Sequence, residues 1–156
     1  LGVTVLGARR RGDEPIEDGV STGDAWRARL PEADFVVLTL PATPETRGIL
    51  GEPELASMKP GAWLINVARG SLVDEEALVD ALSSGRLGGA ALDAFQNEPL
   101  PPAHPFWKLP NVLLSPHSSW RSSRLDEREV ALFSENLQRF IDGEGLRNVV
   151  DLDAGY

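Results

Sequence analysis

The chain has 156 residues, 42% of them apolar, and a net charge of -9 at pH 7. This length supports one globular core, whereas the negative field excludes a phosphate backbone, and hence nucleic acid, as a partner. There is no cysteine, which excludes disulfides and thiolate chemistry, and no apolar run approaches the roughly 20 residues of a membrane span. We therefore expect a soluble, cytoplasmic protein that does not bind a membrane.

Five short apolar runs bounded by turn residues predict buried strands. The runs cover residues 3–6, 35–40, 62–67, 90–93 and 112–115. None of them alternates cleanly between apolar and polar residues, so both faces of the resulting sheet are expected to be covered.

Helical patterns separate the predicted strands. They cover residues 24–30, 53–58, 75–83 and 123–142. Asp74 is placed to cap the third helix and Gly85 to end it. The alternation of strands and helices predicts right-handed βαβ units in a doubly wound, mostly parallel, Rossmann-like α/β fold.

The last predicted helix has an apolar stripe, with spacings of three, four and seven residues. The stripe consists of Val130, Phe133, Leu137, Phe140 and Ile141. We expect this face to pack on the sheet. The segment that follows, residues 143–156, has no helical period and is predicted to be a tail.

Three side chains that could bind a ligand or take part in catalysis follow the predicted strands. Ligands of parallel sheets bind at these strand ends. Arg69 follows the third strand, with Gly70 expected to let the backbone turn, and its planar cation suits a carboxylate ligand. Glu98 and His117 follow the next two strands. A carboxylate beside an imidazole stabilises the imidazolium and fixes which ring nitrogen faces the substrate, which suits His117 to donate a proton to a carbonyl.

Each of these residues has an ordinary structural explanation when taken alone: a solvated arginine, a Glu-Pro turn and a structural histidine. Only their shared placement at strand ends favours a site. His104, in a proline-rich loop with no strand leading into it, is predicted to be structural.

Several segments together resemble the D-2-hydroxyacid dehydrogenase family. They are N-V-A-R-G at 66–70, L-D-A-F-x-x-E-P-L-P at 92–101, S-P-H at 115–117 and L-P-A-T-P-E-T-R-G-I at 40–49. The ending D-L-D-A-G-Y is similar to that of glyoxylate/hydroxypyruvate reductases. The resemblance covers nearly the whole chain.

This resemblance implies hydride transfer between NAD(P) and a small 2-oxo or 2-hydroxy acid, without a metal. It implies that Arg69 binds the substrate carboxylate and carbonyl, His117 transfers the proton, and Glu98 orients His117. It further implies a homodimer. The residues that it suggests for the nicotinamide side are Leu40, Pro41 and Thr46, the backbone of Val67 and Ala68, and Asp93 near the carboxamide.

By the family pattern a glycine-rich G-x-G-x-x-G loop precedes the strand predicted at residues 3–6. The sequence does not contain this loop, and it begins with leucine. We therefore expect residues 1–142 to be a partial NAD(P)-binding domain, incomplete at its N-terminus, with the tail at 143–156 packing on a substrate domain. Unpaired strand edges would then make the isolated chain marginally stable or prone to aggregation.

Arg9 and Arg10 follow the first predicted strand, where an NAD-preferring enzyme carries an acidic residue. Arginine at this place can pair with a 2′-phosphate, which favours NADP; a solvated basic cluster is the alternative. For the whole chain, two alternatives to a dehydrogenase stay open: a nucleotide-sensing, corepressor-like binding module, and a remnant of the enzyme without function.

Overall fold

The computed structural model of the chain describes residues 2–9 and 20–152. The chain divides into two compact units, Leu1–Pro116 and His117–Tyr156. The first unit contains the β-sheets, and the second contains the long C-terminal helix.

The strands of the first unit are all parallel. In chain order the described strands are β1 (Gly7–Arg9), β2 (Val20–Thr22), β3 (Phe35–Leu38), β4 (Trp63–Asn66), β5 (Gly89–Leu92) and β6 (Val112–Leu114). β1 pairs with β2 in a two-stranded sheet, and the other four form a sheet of order β3-β4-β5-β6. The predicted parallel α/β class is confirmed, and β3 to β6 match four of the five predicted strands to within two residues at either end.

The strand predicted at residues 3–6 is wrong. Residues 2–6 form neither helix nor strand, and β1 begins only at Gly7, where it pairs with Val20. Val3 and Val5 are largely exposed. A strand forms where a neighbouring strand supplies hydrogen bonds. For β1 that neighbour is β2, so β2 determines where β1 begins. β2 is short and partly polar, and it has no clear apolar pattern. Arg9 consequently ends β1 and does not lie in the loop after it.

Helices connect the strands. The helices of the first unit are α1 (Glu52–Ser57), α2 (Glu75–Ser83) and 3₁₀ segments at Ala25–Glu32, Gly70–Leu72 and Pro105–Lys108. α2 has the predicted bounds, its cap is confirmed because Asp74 accepts hydrogen bonds from two N–H groups of the first turn, and Gly85 follows the helix at φ +74°. The helix predicted at 24–30 forms as a 3₁₀ helix that contains Pro31, which has no N–H to donate.

A single apolar core fills the first unit. Its centre is made of the fully buried side chains Leu64 on β4, Leu55 on α1, Leu78 on α2 and Phe106 beyond β5. α1 and α2 contact each other, and the carboxyl ends of the strands lead into loops.

The second unit contains α3 (Leu125–Ile141), close to the predicted bounds of 123–142. All five side chains of its apolar stripe are between 49% and 73% exposed. The prediction that this face is buried is therefore wrong for the chain, because helical periodicity tells which residues share a face but not what covers it. No helix in the described parts of the chain is long and apolar enough to span a membrane.

An ion pair connects the first 3₁₀ helix to α1. The Arg27 Nε donates to the Glu54 carboxylate at 2.8 Å, and the Gly51 N–H donates to its other oxygen at 3.2 Å. Burial of Glu54 by itself raises the pKa of this carboxyl. The hydrogen bonds from Arg27 and from the backbone outweigh burial, so the pKa is lowered from its ordinary value of 4.5.

Replacing Glu54 by Gln tests this connection. A carboxyl whose pKa is lowered by folding stabilises the fold above its unfolded pKa and loses that contribution as the pH falls through the folded pKa. We expect Glu54→Gln to lower the free energy of unfolding near neutral pH by about 0.5–1 kcal/mol, a modest value because the partly exposed Arg27 is screened by solvent. The difference should shrink below pH 4.5 in urea unfolding curves.

Glu52→Gln is the matched control, because Glu52 lies in the same helical turn but is exposed. It should change the free energy of unfolding less. A Glu54→Gln difference that is as large in acid as at neutral pH would contradict the ion-pair explanation.

Candidate active site

The loop after β4 carries Arg69 and is held by Asn66, the last residue of the strand. Asn66 is buried; its Oδ1 accepts a hydrogen bond from the Ala68 N–H at 3.0 Å, and its Nδ2 donates to the Arg69 carbonyl at 2.9 Å. The exposed Arg69 guanidinium donates to the Ala68 carbonyl at 2.8 Å. A guanidinium has five N–H donors in a planar fork, so this bond leaves capacity for a carboxylate ligand.

Glu98 lies in the loop after β5 and is exposed. Its Oε1 accepts a hydrogen bond from the Phe95 N–H at 2.9 Å, which closes a four-residue turn. One carboxylate oxygen is therefore fixed by the backbone of its own loop.

Gly70 brings the Arg69 loop into contact with the Glu98 loop. A Cβ added to Gly70 would lie 1.9 Å from the carbonyl carbon of Phe95 and 2.3 Å from the nitrogen of Gln96, far inside van der Waals contact. Gly70 begins the 3₁₀ turn Gly70–Leu72, so the backbone turns here as expected, but without a positive φ. Glycine is required because two backbone segments touch at this point.

Asp93 connects the ends of β5 and β6. It is buried, its N–H donates to the Asn66 carbonyl at 2.9 Å, and its Oδ1 accepts a hydrogen bond from the Ser115 hydroxyl. The Ser115 N–H donates in turn to the Leu92 carbonyl at 3.0 Å. The contact of Asp93 with a nicotinamide carboxamide stays a prediction.

His117 begins the second unit, three residues after the end of β6. Its φ is +50°, in the left-handed region, and its carbonyl oxygen accepts a hydrogen bond from the Trp120 indole N–H at 2.8 Å. Left-handed backbone costs a non-glycine residue roughly 1–2 kcal/mol, although histidine tolerates it better than most residues do. Such outliers cluster at functional sites, because there the chemistry requires the residue.

The residues predicted for the nicotinamide side follow β3 and β4. Leu40 is partly buried and Pro41 is exposed. Thr46 is buried, and its hydroxyl donates to the Pro41 carbonyl at 2.8 Å, so it shapes the loop that carries Pro41. Val67 is exposed, whereas both backbone groups of Ala68 already bond to Asn66 or Arg69 side chains.

Of the two arginines predicted to meet the cofactor, Arg9 is the last residue of β1. It therefore lies at the carboxyl end of a parallel strand, where ligands bind in this class of sheet. Arg10 lies outside the described residues.

The sheet thus places Leu40, Arg69, Asp93 and Glu98 in loops at one edge, the carboxyl ends of β3, β4 and β5. Sequence reasoning missed Asn66, although a polar residue in an otherwise apolar strand was a usable signal. It also missed Ser115. Within the described residues, no group of three or more His, Cys, Asp or Glu side chains could hold a metal ion.

Parallel strands between helices, with charged side chains at their carboxyl ends, define a dinucleotide-binding domain of the Rossmann class. Residues 1–119 match the family model of the D-isomer specific 2-hydroxyacid dehydrogenase, NAD binding domain. The chain therefore belongs to the D-isomer specific 2-hydroxyacid dehydrogenase family, as its motifs predicted.

The relatives include glyoxylate/hydroxypyruvate reductase B of Pectobacterium carotovorum, which is 45% identical over 78% of this chain and 38% of its own length. A solved NADPH-dependent glyoxylate/hydroxypyruvate reductase of Sinorhizobium meliloti, in complex with NADP and sulfate, matches with a TM-score of 0.86. That protein is 39% identical, and the match covers 99% of this chain and 50% of that chain.

A D-isomer specific 2-hydroxyacid dehydrogenase of Xanthobacter autotrophicus, solved with NADPH and MES, matches with a TM-score of 0.85 at 40% identity. The match covers 96% of this chain and 62% of that chain. The chain thus spans about half the length, or less, of most of the relatives named here.

Gly70→Ala tests the contact between the two loops. The added methyl group must push the Phe95–Gln96 backbone away, so we expect the free energy of unfolding to fall by about 3 kcal/mol, at the upper end of overpacking costs. Gly145→Ala is the control, because a Cβ there meets no atom within 4 Å. Equal unfolding midpoints for the two variants in urea would show that the loops do not touch as described.

Proposed function

We propose that the protein transfers a hydride between NAD(P)H and a small 2-oxo acid of the glyoxylate or hydroxypyruvate type. The observation that carries this proposal is the position of the Arg69 loop in a chain of this family. Asn66 holds this loop by hydrogen bonds, and Gly70 allows its backbone to contact the Glu98 loop. The substrate class is supported by the names of the Pectobacterium and Sinorhizobium relatives.

Arg69 binds the substrate carboxylate in this proposal, and its charge stabilises the negative charge that develops on the carbonyl oxygen. His117 donates a proton to that oxygen in the reducing direction and accepts it in the reverse direction. Glu98 orients His117. When bound, the nicotinamide cofactor supplies or accepts the hydride.

Cofactor binding is assigned to the loops at the carboxyl ends of the strands. Leu40, Pro41 and Val67 would contact the nicotinamide side, with Asp93 near the carboxamide. Arg9 fits a 2′-phosphate because it is a cation at the end of β1, which favours NADP over NAD. The two similar solved proteins described above were crystallised with NADP or NADPH, which supports the same preference.

We also propose that the protein acts in the cytoplasm, as a homodimer, and that residues 143–156 pack on a substrate domain. The family resemblance supports the last two points. The net charge of -9 argues against nucleic acid as a partner.

Substitutions at His117 and Arg69 test the catalytic roles in the full natural polypeptide. We expect His117→Asn to lower kcat with glyoxylate by about 10²–10⁴-fold, since the general acid is lost, with little loss of stability because asparagine accepts left-handed backbone. Arg69→Gln should lower kcat/KM by about 10²–10³-fold. NADPH oxidation measures both.

Arg128→Gln provides the charge-matched control for Arg69, because Arg128 is exposed on α3; it should leave turnover unchanged. Unchanged turnover in both site variants would contradict the catalytic assignment. Binding of NADPH without turnover in the parent protein would favour the corepressor-like module instead.

The NADP preference has its own test at Arg9. Arg9→Gln removes the cation proposed to pair with the 2′-phosphate, so the KM for NADPH should rise about tenfold while that for NADH changes little. Arg29→Gln, which removes an arginine already paired with Glu32, is the control. An equal change in the KM values for NADPH and NADH would show that Arg9 does not bind the 2′-phosphate.

A further inference from the structure

Glu75, the first residue of α2, forms a hydrogen bond with the loop that carries Glu98. Its side chain is only 13% exposed, and its Oε1 accepts a hydrogen bond from the Gln96 N–H at 2.7 Å. The Nε2 of the Gln96 side chain donates to the carbonyl of Val73, two residues before Glu75, at 2.8 Å. Gln96 is therefore fixed at both its backbone and its side chain, two residues before Glu98.

The second oxygen of Glu75 faces His104. The distance from Oε2 to the His104 Nε2 is 3.4 Å, and the His104 side chain is 19% exposed. The other ring nitrogen, Nδ1, accepts a hydrogen bond from the Phe106 N–H at 3.3 Å. An imidazole that accepts at Nδ1 carries its hydrogen on Nε2, so the ring presents this N–H to the carboxylate.

Glu75 thus contacts the loop on both sides of Glu98, at Gln96 before it and at His104 after it. Between these contacts, the Phe95 N–H holds one oxygen of the Glu98 carboxylate. Motion of Gln96 must also move its neighbour Phe95. The hydrogen bond that places the Glu98 carboxylate is therefore mechanically coupled to Glu75.

We propose that Glu75 is a positioning residue for Glu98, with His104 as its second support. This inference rests on the proposed role of Glu98 in catalysis. In this arrangement Glu75 does not touch the substrate; it holds the Phe95–Glu98 turn in the geometry that Glu98 needs to orient a histidine.

The alternative explanation is that Glu75 only stabilises α2. Acidic residues in the first turn of a helix interact favourably with its dipole. Glu76 lies in the same turn and carries the same charge but is exposed. A dipole effect would be similar for both residues, whereas positioning belongs to Glu75 alone.

Amide hydrogen exchange in the chain tests the coupling directly. In Glu75→Ala the amides of Gln96 and Phe95 should both exchange about tenfold faster, because a charge-assisted hydrogen bond that protects the turn is lost. The amide of Leu64 on β4 serves as the reference for global unfolding. Glu75→Gln should restore both amides, since its carbonyl oxygen still accepts from Gln96, and Glu76→Ala should leave them unchanged.

Kinetics of the full natural polypeptide supply the second measurement. Glu75→Ala should lower kcat about tenfold, with less than about a twofold change in the KM for glyoxylate, because Arg69 still binds the carboxylate. Glu75→Gln should recover most of the rate. His104→Asn keeps an oxygen that can accept from the Phe106 N–H but removes the group facing Glu75, so it should lower kcat by a smaller factor in the same direction.

The proposal is overturned if Glu75→Ala accelerates Gln96 but leaves Phe95 unchanged, or if Glu76→Ala has the same effect as Glu75→Ala. It is also overturned if the Phe95 amide accelerates while kcat stays at the parent value. A parent protein without turnover would contradict the proposed function, and exchange at Phe95 would still decide whether Glu75 positions Glu98.

Discussion

The contact between the Gly70 backbone and the Phe95–Gln96 backbone is the constraint on which the candidate site depends. β4 and β5 are hydrogen-bonded neighbours, but strand pairing ends at Asn66 and Leu92 and does not hold the loops beyond them together. Glycine lets the two loops touch without an intervening side chain. The distance between the Arg69 and Glu98 loops is therefore set by backbone contact, which varies less than contact between long, flexible side chains.

Hydrogen bonds to polar side chains also fix the loops of the candidate site. Asn66 fixes the Arg69 loop, Asp93 joins the ends of β5 and β6 through Ser115, and Glu75 fixes the Glu98 loop. These side chains are buried or partly buried, where a hydrogen bond that is not formed costs the most. The loops of the exposed residues Arg69 and Glu98 are in this way held by Asn66 and Glu75, to which no ligand contact is assigned.

The sequence predicted the central strands and the α2 cap, because these depend on local signals: apolar runs and a capping residue. The catalytic and cofactor roles of the residues at the strand ends stay predictions. Sequence reasoning misplaced β1 and missed β2, since both are defined by their pairing with each other. The buried face expected for α3 was wrong for a related reason, because the partner of a face is not encoded in its period. The bond from Glu75 to Gln96 joins residues 21 apart and has no local signal.

His117 shows how conformation and chemistry can be weighed against each other. A position at φ +50° is occupied at lowest cost by glycine or asparagine, so the backbone conformation by itself does not favour histidine there. The cost of the left-handed backbone, roughly 1–2 kcal/mol, is small beside the factor of about 10²–10⁴ in rate that a positioned general acid contributes. Under the proposed function, proton transfer therefore accounts for a histidine in this conformation, three residues after the end of β6.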